Sequence, residues 1–131
     1  MVLDTSALLA ILFAEPEAGA MVSAIGKDGV RILGAPTLVE ASAVMVARKG
    51  PAGEVALDAV LQRLGIKVVD MGVDAARLAR LAYARYGKGV GEPGVLDFGD
   101  CLTYGIATAA REPLLFKGND FARTDVEVAA Y

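Results

Sequence analysis

Short apolar runs alternate along this chain with longer segments of helical period. Residues 2–3, 31–33, 66–70 and 113–117 are brief Val-, Ile- and Leu-rich runs bounded by turn residues, and they read as strands, with 126–128 as a short last one. Between them, residues 6–13, 18–25, 38–47, 54–64, 74–86 and 96–107 carry apolar positions at helical spacing. Breaks fall at Glu15-Pro16-Glu17, Gly26-Lys27-Asp28-Gly29, Gly50-Pro51 and Gly65, where Pro and Gly stop helices. Pro36 lies near the first turn of the third helix, with Thr37 as a candidate cap. That helix is apolar nearly all the way round, which predicts burial. Strands separated by helical crossovers predict a parallel sheet with helices on both faces, a three-layer α/β/α sandwich with four to five short strands.

Composition narrows this picture. At 131 residues the chain fits one domain, 1–131. Hydrophobic residues make up 55% and mean hydropathy is +0.48, which fits a sheet buried on both faces and an apolar face covered by a partner. No apolar run approaches the roughly 18 to 20 residues of a membrane span. The first residues carry Asp4 inside their apolar run and no basic leader, so they do not read as a signal peptide, and a cytoplasmic location is expected. Cys101 is the single cysteine, so no internal disulfide forms, and its helical surroundings predict a small core residue. There is no histidine, which removes Ser/His/Asp and Cys/His triads and nearly every zinc pattern. A net charge of −3 argues against a simple basic coat for nucleic acid.

What remains as candidate chemistry is acidic. Asp4 sits where the first strand hands over to a helix, and the carboxyl ends of parallel strands are where ligands bind; the alternative is that Asp4 or Thr5 simply caps that helix. Asp120 repeats the placement after the strand at 113–117. Asp97 and Asp100 open the helix at 96–107, where Asp97 can be the N-cap and the helix dipole alone would favour both. Glu40 is an acid among Ala43 and Val44, and burying it without a cation would cost several kcal/mol, on the order of the desolvation of one ion; it is either a functional acid, or one paired with a distant Arg or lying at a surface edge. Asp70 has the same strand-end position but ordinary turn composition. Arg77, Arg80, Arg85 and Lys88 spread along one side of the helix at 74–86; this is either a solvated face or a stripe that steers RNA phosphates. The glycine-rich stretch 87–94 lacks the Gly-Lys-Ser/Thr of a phosphate loop and reads as a flexible loop beside the site.

Crossovers bring strand ends to one rim, so Asp4, Asp100 and Asp120 are expected to converge there with Glu40. Carboxylates without histidine or a second cysteine form a hard-oxygen set suited to Mg²⁺ or Mn²⁺. Such an ion lowers the pKa of a bound water and neutralises charge on a phosphodiester, which makes hydrolysis of RNA or DNA possible without histidine.

These residues resemble the PIN-domain ribonucleases, and specifically the VapC-type toxins of toxin-antitoxin modules. The stretch from Val2-Leu3-Asp4-Thr5-Ser6 to Ala10 is similar to that family's opening strand. Thr37-Leu38-Val39-Glu40-Ala41-Ser42 resembles its second-acid helix, Asp97-Phe98-Gly99-Asp100-Cys101 its third-acid turn, and Leu114 through Lys117-Gly118-Asn119-Asp120-Phe121 its final strand and turn. The resemblance implies metal-binding roles for Asp4, Glu40, Asp100 and Asp120, with Ser6 positioning a metal-bound water or phosphate. It also implies a homodimer, a cognate antitoxin that covers the site, and cleavage of RNA, often structured RNA such as tRNA. Two positions depart from the pattern. Position 97, commonly Asn, is Asp here and is either an added metal ligand or only a cap; position 119, often acidic, is Asn.

Two rival enzymes fit less well. A phosphatase of the haloacid-dehalogenase type needs a second Asp where Ser6 stands, and a receiver domain needs paired acids that are missing after Asp4. The non-enzymatic alternative is a PIN-like module that binds RNA or a partner without cutting.

Overall fold

The computed structural model describes residues 1–131. Strand β1 (Val2–Leu3) leads into α1 (Thr5–Leu12) and α2 (Ala18–Lys27); β2 (Ile32–Gly34) is followed by α3 (Ala35–Lys49) and α4 (Pro51–Arg63). Strand β3 (Lys67–Val69), α5 (Val73–Tyr86), α6 (Phe98–Ala110), β4 (Leu114–Leu115) and a 3₁₀ turn at Phe121–Arg123 complete the chain. The sheet is parallel throughout, in the order β3-β2-β1-β4. The expected last strand is reduced to one parallel bridge from Val128 to Leu114. No helix is long and apolar enough to cross a membrane.

Strand alternation sorts the core into two halves. Leu3, Leu33 and Leu115 stand in register and join a cluster of 16 buried residues that includes Leu8, Met21, Ile25, Leu57 and Leu61 from α1, α2 and α4. Val2 and Leu114, one position earlier, face the other way into a cluster of 13 with Tyr86, Cys101, Tyr104 and Ile106 from α5 and α6. A two-residue strand thus supplies both faces of the sheet, because successive side chains point to opposite sides. This is the expected three-layer sandwich, and Cys101 is the expected core residue, its thiol pushed up to about 11 mainly by burial.

Two local expectations are corrected. Gly34, not Thr37, is the N-cap of α3; Thr37 is buried, and its hydroxyl meets that of Thr103 at 3.1 Å. Nor is α3 buried all round: Thr37, Ala41 and Met45 form its buried face, while Val39 and Val46 are exposed. A run of apolar residues carries no phase of its own, so only packing decides which stripe goes inside.

The topology fixes one rim. The chain steps from β1 outward to β2 and β3, then returns to the other side of β1 for β4. Helix α6 leads into β4 by a parallel crossover, so its N-terminus lies at the rim where β1 ends, which is the ligand-binding edge of an open parallel sheet.

Candidate metal centre

Asp4 follows β1 and is only 5% exposed. It caps α1 in extended conformation, and its Oδ2 accepts from both the amide (2.9 Å) and the hydroxyl (2.6 Å) of Ser6. The Ser6 hydroxyl in turn accepts from the Lys117 amide at 3.0 Å, and the Asp4 amide donates to Leu115 at 2.9 Å. Cap and site candidate are therefore one residue, with Oδ2 holding the helix start. Burial pushes the Asp4 carboxyl up, against the lowering effect of the Ser6 bonds. The structure thus commits the Ser6 hydroxyl to fixing Asp4 against the end of β4.

At the start of α6, Asp97 and Asp100 form a capping box. Asp97 Oδ1 accepts from the Asp100 amide and Asp100 Oδ2 from the Asp97 amide, both at 2.9 Å. Each carboxylate keeps its second oxygen free. Burial is the main cause that raises Asp100 to about 7, and the charges of Asp97, Asp4 and Asp120 add to it. Like charges favour the neutral acid, so the shift records convergence of these groups from separate parts of the chain.

Glu40 arrives from α3. The residue as a whole is exposed, but its carboxylate lies over Gly99 so closely that a Cβ there would stand 2.6 Å from Oε2 and 3.0 Å from Oε1. Local desolvation raises its pKa, and the charges of Asp4 and Asp97 act in the same direction. The expectation of an acid enclosed by its own helix's apolar side chains is replaced by one laid across the first turn of α6. Asp120 is exposed at the turn after β4, and its one ion pair is with Lys88 at 3.8 Å. Asp70 is exposed, just past the edge strand β3.

Sequence reasoning gave Thr5 no role beyond a possible helix cap, and Gly99 none. Thr5 is buried, its hydroxyl has no hydrogen-bond partner, and the Glu40 carboxylate is the acid it influences. Gly99 lies in the first turn of a helix, where Gly costs about 1 kcal/mol relative to Ala; that cost, between two acids, was the available signal of a close approach.

The residues fit a hard divalent cation by their chemistry. The charges of Asp4 and Asp97 raise the proton affinity of both Glu40 and Asp100, no ion pair neutralises any of these four acids, and a buried hydroxyl stands unpaired beside them. As the side chains stand, no group of three or more acids is drawn in closely enough to hold an ion. The capping box engages one oxygen of Asp97 and one of Asp100 and leaves the other of each unbonded.

Comparison with known proteins gives the same direction. The family model of the PIN domain matches residues 1–127. Ribonuclease VapC28 of Mycobacterium tuberculosis is 43% identical over 129 residues, covering 98% of this chain and 97% of that protein. Two solved structures share the fold. Mycobacterium tuberculosis VapC20, described as a sarcin-ricin loop cleaving toxin, has a TM-score of 0.75 at 17% identity over 95% of each chain. VapBC2 from Rickettsia felis, bound to a DNA fragment from its promoter, has a TM-score of 0.75 at 16% identity, covering 97% of this chain and 94% of that one. The fold is that of a PIN domain. The chain belongs to the PIN-domain family, in its VapC branch.

Proposed function

We propose that this protein is a divalent-metal-dependent endoribonuclease, the toxin of a toxin-antitoxin module, with Mg²⁺ or Mn²⁺ held by Asp4, Glu40, Asp100 and Asp120 and with Asp97 as a further ligand. The observation that carries the reading is the buried Asp4 carboxylate, which faces other acids and has no cation beside it. When bound, the metal supplies an acidified water and charge neutralisation at the phosphodiester. The chain's own residues supply the frame. Ser6 holds Asp4 in one rotamer, the capping box fixes Asp97 and Asp100 on rigid helix, and Gly99 lets Glu40 reach across α6. Oxygen ligands throughout support Mg²⁺ or Mn²⁺ over zinc or copper.

RNA is the proposed substrate on the strength of the kinship with ribonucleases, and a cognate antitoxin the proposed partner. A homodimer belongs to the same reading; the exposed Val73, Leu81 and Phe98 on α5 and α6 support a covered apolar face.

The test is cleavage of total RNA by purified, partner-free protein with Mg²⁺ or Mn²⁺, against EDTA and against Asp4→Asn. Cleavage lost in both controls is the expected result. A folded Asp4→Asn protein that cuts as fast as the wild type would overturn the assignment. Metal binding and RNA binding without any cleavage would leave a PIN-like binding module.

A further inference from the structure

We infer that Lys88 is a substrate-binding residue of this centre, anchoring a phosphate of the RNA beside the carboxylates; the inference rests on the ribonuclease reading above. A cluster of acids meets a polyanionic substrate, so something near it has to attract phosphate. Of the molecule's ion pairs, one reaches a site acid, and its cation is Lys88, 3.8 Å from Asp120. The other paired cations are engaged elsewhere: Arg77 with Asp74, Arg85 with Asp125, and Lys117 with Glu15 and Glu17.

The placement of Lys88 is built into the backbone. Its amide donates to Leu96 at 2.8 Å, and Leu96 immediately precedes Asp97. Gly87 and Leu96 form a parallel bridge, and the amides of Val95 and Leu96 both donate to Tyr86. The base of the 87–96 loop is therefore clamped at Gly87 and Lys88, while the Lys88 side chain, Gly89 and Val90 are exposed. Lys88 is tied by its main chain to the segment that enters Asp97 and by its side chain to Asp120.

The strength of the pair decides what it can do. Both side chains are about half exposed, 55% and 56%, and an exposed pair of this kind is worth roughly 0 to 1 kcal/mol. Such a contact is easily exchanged for a phosphate oxygen. A structural tether would be expected to be shorter, more buried or bidentate.

The experiment compares wild type, Lys88→Ala and Lys88→Arg, all checked for unchanged melting temperature, in two assays. Affinity for a fluorescein-labelled 20-nucleotide single-stranded RNA is measured by anisotropy from 50 to 300 mM KCl in the Asp4→Asn background, which removes cleavage. Steady-state cleavage of the same RNA with Mn²⁺ is measured with Asp4 intact. Losing one phosphate contact lowers the slope of log affinity against log salt by about 0.7 for single-stranded RNA. Lys88→Ala is expected to show that loss and a KM raised about tenfold with a smaller change in kcat, and Lys88→Arg to restore both. An unchanged salt slope overturns the inference whatever the cleavage result. A lowered slope with no cleavage by any variant keeps Lys88 as the anchor and instead refutes the ribonuclease reading.

Discussion

A single hydrogen atom separates two functions at position 99. Gly99→Ala places a methyl group 2.6 Å from Glu40 Oε2, which is the free end of a flexible side chain. The helix loses nothing and gains up to about 1 kcal/mol from the better helix former, while Glu40 is pushed off the centre. The expected outcome is an unchanged or higher melting temperature with RNA cleavage down at least about tenfold. Asp100 makes the complementary case. Below its ordinary value of 3.8 the carboxyl is protonated in both folded and unfolded chains and has no effect. As pH rises from there to about 7 the unfolded chain releases the proton while the folded one keeps it, so stability falls; above about 7 the whole penalty stands. Asp100→Asn removes the penalty and keeps an acceptor for the Asp97 amide. In EDTA it is expected to stabilise by about 1 kcal/mol at pH 8, allowing for solvent screening of a part-exposed group, with the gain gone by pH 4 in thermal melts. The positions of Asp4, Asp97 and Asp100 were legible in the sequence because strand ends and helix caps are local signals. The meeting of Glu40 with Gly99 was not, since it joins residues on different helices that no spacing rule connects.

Helices α5 and α6 touch through their backbones. A Cβ on Gly105 would lie 2.3 Å from the Ala75 carbonyl oxygen and 2.9 Å from the Ala79 amide nitrogen, and neither atom can swing aside. Gly105→Ala is therefore expected to lower stability by about 1 to 3 kcal/mol in urea unfolding, although in an isolated helix the same change stabilises. Together with Gly99→Ala it separates two uses of glycine in one helix: one makes room for packing, the other for a carboxylate. All six helices were legible from period and breakers, and so were the four paired strands, because each is a compact apolar run between turn signals. Boundaries moved where side chains found distant partners. Arg31, expected in a strand, instead spends its guanidinium on the carbonyls of Asp28, Leu64 and Gly26, and β2 begins one residue later. Thr37 was drawn from the helix cap into the interior by Thr103, a hydroxyl on a helix that follows much later in the chain.

Taken whole, the protein concentrates unneutralised acid at one rim of a sheet buried on both faces, so a bound divalent ion should stabilise the entire fold. At one hundred times its dissociation constant the gain is about 2.7 kcal/mol, seen as a higher melting temperature with Mn²⁺ than with EDTA. Asp4→Asn is expected to abolish most of that metal-dependent rise; a full rise in the variant would place the ion elsewhere. The strand order β3-β2-β1-β4 has one more consequence. Strand β1 lies inside the sheet, and one of its edges stays open until β4 has been made, with Asp120 following later still. A growing chain thus carries Asp4 long before Asp120, and the rim closes only after β4 has been added. Strand order thereby holds back the metal centre until both halves of the fold are in place.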